Sequence, residues 1–433
     1  MQPKPSNTVM FFQSEQDQAA IQERVKNLND PYRKKLGFPC LVNVKLLNLA
    51  KAHNQVSKSD QNNKTFIWVA CGDSTAKLIS INLNPSYNTP EDFIHSKFLV
   101  KTLKGHSGPV TCVAPISNSG NSSQDFVLTA SWDKSIRLWD VSTTQLLGIY
   151  TGHSDFVKTI FVPKDSQYFF SGSSDKSIKK WSLPTGMSDN SNPDFSCLQT
   201  SKEHTRAVEC LTCSPDQLVL FSGSSDTTVL SWNAKTSKLL AFSDFMDLSQ
   251  QNSSVNSDDF WKVSCKSNVF DISATQSSIW TASADKSVCE WNLSTGEKES
   301  EFIHSQVIKS LLVVLEKGLV FTGSREGIIK IWDTTSGECI KEIQAHVDSI
   351  ESFIIIQGKV LSASLDGSVR LWDINDILNH DGYLYEPVIK GCSKDSDSEL
   401  VLANTENASS KSYSLLTAEE SKELESLLDE LED

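Results

Sequence analysis

Along most of the chain, apolar and polar residues alternate in short runs, the period of a half-buried β-strand. Val127-Leu128-Thr129-Ala130-Ser131 predicts one strand. An Asp-containing turn follows, and Ile136-Arg137-Leu138-Trp139-Asp140 predicts its hairpin partner. A third run covers Leu146 to Tyr150, and the next unit opens at Gly152-His153. The unit can be read six times. In each copy an acid at the hairpin turn precedes a Trp by six positions: Asp133/Trp139, Asp175/Trp181, Asp226/Trp232, Asp285/Trp291, Glu326/Trp332 and Asp366/Trp372.

A period of roughly 40 residues closing on Trp-Asp marks a β-propeller blade. One hairpin with two flanking strands makes a four-stranded blade. A single blade cannot bury both of its faces, so blades stack radially and the unit must repeat. A degenerate first copy is expected at about 40–103, with Gly72-Asp73 at its turn, Ile79 in place of Trp and Val69 in place of a hydroxyl. The expected fold is therefore all-β: a seven-bladed β-propeller of four-stranded antiparallel blades, with short helical N- and C-terminal extensions. The expected divisions are an N-terminal extension with a short helix over 1–39, the propeller over 40–390, a disordered linker over 391–414 and an acidic amphipathic helix over 415–433.

The polar residues inside the unit also recur. A His precedes most turn acids at His106, His153, His204, His304 and His346, and a hydroxyl stands four positions before each acid at Thr129, Ser171, Ser222, Thr281, Thr322 and Ser362. Such a set can form one buried chain, indole to hydroxyl to imidazole to carboxylate. Each bond contributes about 0.5–1.5 kcal/mol net and spares polar groups from being buried alone. These residues resemble the WD-repeat family over about residues 40 to 375. The resemblance implies complete structural tetrads at His106, Thr129, Asp133, Trp139; at His153, Ser171, Asp175, Trp181; at His204, Ser222, Asp226, Trp232; and at His346, Ser362, Asp366, Trp372. Blade five lacks the His and blade six carries Glu326, so blades one, five and six are expected to be the less rigid ones.

The outer strand of the last blade is expected from Tyr383–Lys390, with Thr8–Phe12 as the alternative. Residues 14–29 predict a helix with Ile21, Val25 and Leu28 on one face. Four stretches interrupt the period: 55–64, 117–124, 186–196 and 244–268. The last carries Phe245, Met246, Phe260 and Trp261 and is expected to join an outer strand to the next inner strand, on the His side of the ring, where it caps the channel or docks a partner.

The net charge is −14, and Leu416 to Asp433 alone holds eight acids against one Lys. A mildly acidic propeller disfavours general nucleic-acid binding, which needs a basic surface. There Leu424, Leu427, Leu428 and Leu431 recur at helical spacing after a capping-box pattern, predicting a short helix that docks on its own propeller or in a partner's groove. Neither a membrane span nor a signal core is apparent. Ten scattered Cys suit a reducing compartment, and Cys210-x-x-Cys213 is without the second pair a zinc site would need. The expected location is intracellular, nucleus or cytoplasm.

No P-loop, dinucleotide fingerprint or metal-ligand cluster is present, so no catalytic residue, cofactor or metal is expected. Ser, His and Asp do recur, but once per blade and paired with Trp, unlike a catalytic triad. The expected role is a non-enzymatic scaffold or adaptor in a multiprotein complex. Its partners are other proteins, with nucleic acid contacted only indirectly if at all, no membrane, and the oligomeric state open. Candidate partner-binding residues are Trp132, Phe156, Arg206, Arg325 and Leu365 on the rim, Phe260 and Trp261 in the long insertion, and the four C-terminal leucines. The alternatives are a regulatory subunit of a nucleic-acid modifying or processing complex, or a substrate receptor of a ubiquitin ligase; no Trp-Asp is followed by x-Arg, which disfavours the latter.

Overall fold

The computed structural model describes residues 39–42, 44–52, 64–83, 99–116, 125–164, 167–184, 195–241 and 261–379. They form seven four-stranded antiparallel sheets. The first strand, β1 (Pro39–Leu41), belongs to the last sheet. Blade one is β2 (Leu46–Lys51), β3 (Lys64–Cys71), β4 (Thr75–Asn82) and β5 (Leu99–Lys104). Blade two is β6 (Val110–Ile116), β7 (Phe126–Ser131), β8 (Ile136–Asp140) and β9 (Leu146–Tyr150). Blade three is β10 (Val157–Phe161), β11 (Tyr168–Ser173), β12 (Ile178–Ser182) and β13 (Cys197–Ser201). Blade four is β14 (Val208–Cys213), β15 (Val219–Ser224), β16 (Thr228–Asn233) and β17 (Lys262–Ser264). Blade five is β18 (Val269–Ala274), β19 (Ser278–Ser283), β20 (Ser287–Asn292) and β21 (Lys298–Ile303). Blade six is β22 (Ile308–Val314), β23 (Leu319–Ser324), β24 (Ile328–Asp333) and β25 (Cys339–Gln344). Blade seven is β26 (Ile350–Ile356), β27 (Lys359–Ser364) and β28 (Ser368–Asp373), completed by β1.

Each innermost strand touches the innermost strand of the next blade, and β26 touches β2, so the ring is closed. Its interior is divided among seven apolar layers, one in each seam between neighbouring blades. The repeating Trp explains this arrangement. Trp139, Trp181, Trp232, Trp332 and Trp372 are buried, each against the preceding blade, and Trp291 packs at the same place in its own seam. In the seam between blades seven and one Ile79 fills that position. A large ring at the seam removes more apolar surface from water than any other single side chain could.

The closing strand differs from expectation. Cys40 pairs with Val369 and Leu41 with Ser368, and Val42 N–H donates to Gly367 O at 2.8 Å. After β28 the chain turns instead into a short helix, α1 (Ile374–Asn379), whose Ile374 and Ile377 pack with Leu319 and Trp372 beneath blades six and seven. The edge of β28 is thus taken by the N-terminal segment. Pro39 is tolerated there because a strand's first residue at a sheet edge need not donate to the ladder. Tyr383–Lys390 and Thr8–Phe12 lie outside the described residues, as do the 14–29 helix and the C-terminal leucines.

The long insertion also sits elsewhere than expected. Trp232 forms a bridge with Leu239, Leu240 N–H donates to Ser231 O at 3.0 Å, and Trp261 N–H donates to Leu240 O at 3.1 Å. Lys262 then pairs with Leu230. The excursion therefore leaves and re-enters blade four's own outer strand, at the ring's periphery, rather than joining two blades. Trp261 is 1% exposed, packs on Phe221 and donates its indole N–H to Leu293 O at 3.1 Å. It is a seam residue and offers nothing to a partner. Phe260, Phe245 and Met246 lie outside the described residues.

Candidate functional site: the rim and mouth of the central channel

Four blades carry the same polar chain. In blade two the Trp139 indole N–H donates to Thr129 Oγ1 at 2.9 Å, the Thr129 hydroxyl meets His106 Nε2 at 2.8 Å, and His106 Nδ1 meets Asp133 Oδ2 at 2.8 Å. The carboxylate accepts at Nδ1, so the proton sits there and Nε2 accepts from the hydroxyl. In blade three the Trp181–Ser171, Ser171–His153 and His153–Asp175 distances are 2.8, 2.6 and 2.8 Å. In blade four Trp232–Ser222, Ser222–His204 and His204–Asp226 measure 2.8, 2.7 and 2.9 Å. In blade seven Trp372–Ser362, Ser362–His346 and His346–Asp366 measure 2.9, 2.7 and 3.0 Å. Each Asp also accepts backbone N–H groups: Asp133 takes those of Ser107 and Ser135. Burial opposes ionisation of Asp133, yet the His106 and Ser135 bonds outweigh it and hold the carboxyl well below its usual range. The Ser-His-Asp content is consumed in tying the incoming loop to the hairpin turn.

The other three blades replace the chain in different ways. In blade one Val42, Val69 and Ile79 stand at the His, hydroxyl and Trp positions and pack together in one apolar seam, which leaves no polar group stranded. In blade five Cys265 stands at the His position, its Sγ 3.7 Å from Thr281 Oγ1, and Trp291 N–H still donates to Thr281 at 3.0 Å. In blade six Glu326, one methylene longer than Asp, is turned out to solvent. His304 is buried, and its Nε2 finds no partner among the described residues. Thr322 donates instead to Lys330 O at 3.3 Å.

These chains hold the rim in place. The residue before each turn acid is tied by its N–H to the loop entering the same blade: Trp132 to Pro109 O, Ser174 to Phe156 O, Ser225 to Ala207 O, Ala284 to Asn268 O, Arg325 to Val307 O and Leu365 to Ser349 O. Two of the rim candidates meet. The Trp132 and Phe156 rings stack at 5.1 Å with 19° between their planes, and Phe156 is 38% exposed. Arg206 and Arg325 are exposed on blades four and six, and Leu365 is half-buried on blade seven.

Inside the rim lies a ring of residues that sequence reasoning missed. All seven innermost strands shift register after their first residue, a β-bulge that re-aims the second side chain. The re-aimed residues are Leu47, Thr111, Lys158, Glu209, Phe270, Lys309 and Glu351, and all line a channel-mouth cavity of about 480 Å³. Trp132 lines it too. Each of the seven bulged residues stands five positions after the His position, a signal the repeat does carry. Lys158 Nζ pairs with Glu209 at 3.3 Å, and Ser225 Oγ donates to Glu209 at 2.9 Å. Lys309 Nζ lies 3.5 Å from the centroid of the Phe270 ring, and burial pulls its pKa down.

One layer deeper, small polar side chains bridge neighbouring blades. Asn48 Oδ1 accepts from Val113 N–H at 3.4 Å, Ser310 donates to Ile350 O at 2.8 Å, and Ser352 accepts from Leu49 N–H at 3.3 Å. Asp271 does the same between blades five and six, accepting from Leu311 N–H at 2.8 Å. Burial pushes this carboxyl up to about 7 against the pull of the Leu311 and Ile272 N–H bonds. Cys210 and Cys213 are both buried free thiols in β14. Among the described residues, no group of three or more His, Cys, Asp and Glu is placed to hold a metal ion, and no helix is long and apolar enough to cross a membrane.

The family model for the WD domain, G-beta repeat, matches residues 97–140, 144–182, 195–233 and 337–373. These matches end on the hairpins of the four blades whose tetrads are complete. With seven blades built on one repeating unit, the chain is a member of the WD-repeat β-propeller family. It is 28% identical over 378 residues to an uncharacterized WD repeat-containing protein of Schizosaccharomyces pombe, covering 85% of this chain and 89% of the relative. It is 24% identical over 333 residues to a ribosome biogenesis protein WDR12 homolog of Oryza sativa subsp. japonica, covering 74% of this chain and 64% of that protein. A further relative is the small ribosomal subunit protein RACK1y of the same plant, 26% identical over 344 residues, covering 64% of this chain and 96% of the relative.

Proposed function

We propose that this protein is a non-catalytic scaffold or adaptor of an intracellular multiprotein complex, holding other proteins on the rim that surrounds the channel mouth. The observation that carries this reading is the Trp132–Phe156 stack: two aromatic rings held half in solvent by a rigid turn and loop. Aromatic side chains displayed at low entropic cost are typical anchors of protein interfaces. Arg206, Arg325 and Leu365 extend the contact around the rim, and the acidic C-terminal segment with Leu424, Leu427, Leu428 and Leu431 supplies a second, tethered contact. The repeated polar chains support a rigid display platform rather than a reaction centre. Relatives whose names place them in ribosome biogenesis and in the small ribosomal subunit favour, as a second reading, a complex that handles ribonucleoprotein.

The test is affinity purification with mass spectrometry of three forms: the unaltered chain, the Trp132→Ala/Arg325→Ala double variant, and a chain ending at residue 414. Loss of a defined set of partners from the double variant supports the rim; an unchanged partner set overturns it.

A further inference from the structure

We propose that the channel mouth selects an acidic peptide: a partner's carboxylate seats on Lys309 while an adjacent apolar side chain lies on the Trp132–Phe156 platform. This rests on the scaffold reading and names the chemistry of the partner.

Lys309 is the reason. It is one of the seven bulged residues, so the backbone aims it into the cavity. Among the described residues its ammonium makes no hydrogen bond or ion pair; its near neighbour is the Phe270 ring, 3.5 Å from Nζ to centroid. The other Lys of the ring differs, since Lys158 is satisfied by Glu209. The charges that act on Lys309 are Glu351 and Glu209 on one side and Lys158 and Arg325 on the other. Glu209 is already committed to Lys158 and to the Ser225 hydroxyl. That leaves Glu351 alone against Lys309 and Arg325. A half-buried ammonium with an aromatic ring on one side and no carboxylate partner is less well solvated than one in open water, and an entering carboxylate would relieve that cost. A charged pair formed inside a cavity is worth more than one formed in open water.

The cavity suits one or two side chains. Its 480 Å³ takes in both Lys309 and Trp132, so a carboxylate and an apolar group from one segment can be seated together. Exposed Lys134 and Lys176 lie on the hairpin turns of the two blades that carry the platform, against half-buried Asp155, which accepts from Phe156 N–H at 2.8 Å. A polyphosphate fits less well. It needs a continuous basic track, which Glu209 and Glu351 interrupt.

The experiment uses the full chain and arrayed short peptides. Each peptide carries a central Asp or Glu with Trp, Phe or Leu a few positions away; matched sets carry Asn or Gln, or Lys or Arg, in place of the acid. A mixed-sequence single-stranded RNA forms a separate arm. The expected result is selective binding of the acidic–apolar set, weakened at least tenfold by Lys309→Met and by Trp132→Ala and unchanged by Lys317→Ala on the opposite face. Lys309→Glu should shift the preference towards the basic set, which a merely misfolded variant would not do. Preference for neutral or basic peptides, binding indifferent to Lys309, RNA bound through the same residues, or no binding by any set would overturn the proposal. A partner set that depends on Trp132 and Arg325 in the purification above, together with no preference for acids here, would leave the scaffold reading standing and remove this one.

Discussion

Cys265 stands in blade five where His153 stands in blade three. Each lies four residues before its blade's innermost strand and reaches the hydroxyl of the second strand, Cys265 Sγ at 3.7 Å from Thr281 and His153 Nε2 at 2.6 Å from Ser171. The thiol makes only the weaker contact and leaves Asp285 without an imidazole. Asp285 takes its bonds from Ser283 and Ser287 instead.

Replacing Cys265 with His should therefore stabilise the ring. The Thr281, Asp285 and Trp291 of a complete tetrad are already in place, and the gain expected from two new bonds is about 1 kcal/mol. The reverse change, His153→Ala, strands Ser171 and Asp175 and should cost about 2–3 kcal/mol. Thermal denaturation checks both. A lower melting temperature for Cys265→His would show that blade five is not shaped for the imidazole.

Blade six should make the protein acid-sensitive. Burial, and then the Lys330 cation, hold the His304 imidazole down to about 4. Its unfolded value is near 6.5, so between these limits the unfolded chain binds the extra proton and stability falls as the pH falls. Burial shifts His346 the same way. The tetrad carboxylates, held far below the usual range, give up their contribution only at still lower pH. His304→Phe should thus gain on the unaltered protein in melting temperature as the pH drops from about 7 to about 5. A difference that stays constant with pH would count against this.

Asp271 acts with the opposite sign. Its carboxyl, raised to about 7, is protonated in the folded state at a pH where the unfolded chain has already ionised. Stability is therefore lost as the pH rises from about 4 to about 7. Asp271→Asn cannot ionise, so its melting temperature should improve relative to the unaltered chain between about pH 5 and about pH 8, whatever the offset at the start. A falling or flat difference would mean that the channel wall leaves this carboxyl as well hydrated as in the unfolded chain.

Ring closure depends on three residues. A chain starting at residue 39 keeps β1, whereas one starting at residue 46 leaves the edge of β28 unpaired and Cys40 missing from the seam with blade one. Only the second should melt markedly lower and exchange amide hydrogens faster across β28. Equal protection of β28 in the two chains would show that something other than β1 covers this edge.

The fold was legible because each blade restates it. The ten-residue interval from hydroxyl to Trp, as in Thr129 and Trp139, follows from a tight hairpin and recurs in every blade from two to seven. What stayed hidden depends on partners far off in sequence or on single substitutions. Pro39–Leu41 is too short for any periodicity, and only its pairing with Ser368–Arg370 makes it a strand. Cys265 has the His position but not the His chemistry. Trp261 looked like an exposed aromatic in a polar insertion, yet the return of the chain to blade four buries it beside Phe221. The ring containing Lys158 and Lys309 escaped notice because plain strand alternation says nothing of a bulge that re-aims one residue.

The most direct test of the rim as the partner surface is cross-linking mass spectrometry on the complex purified from its native source. Lys134, Lys176, Lys202 and Lys286 are exposed on the His side of the ring, and Lys164, Lys235, Lys238 and Lys317 on the opposite side. Partner cross-links concentrated on the first set, and depleted there when Trp132 is replaced by Ala, are the expected result. Partner cross-links confined to the second set would contradict the account.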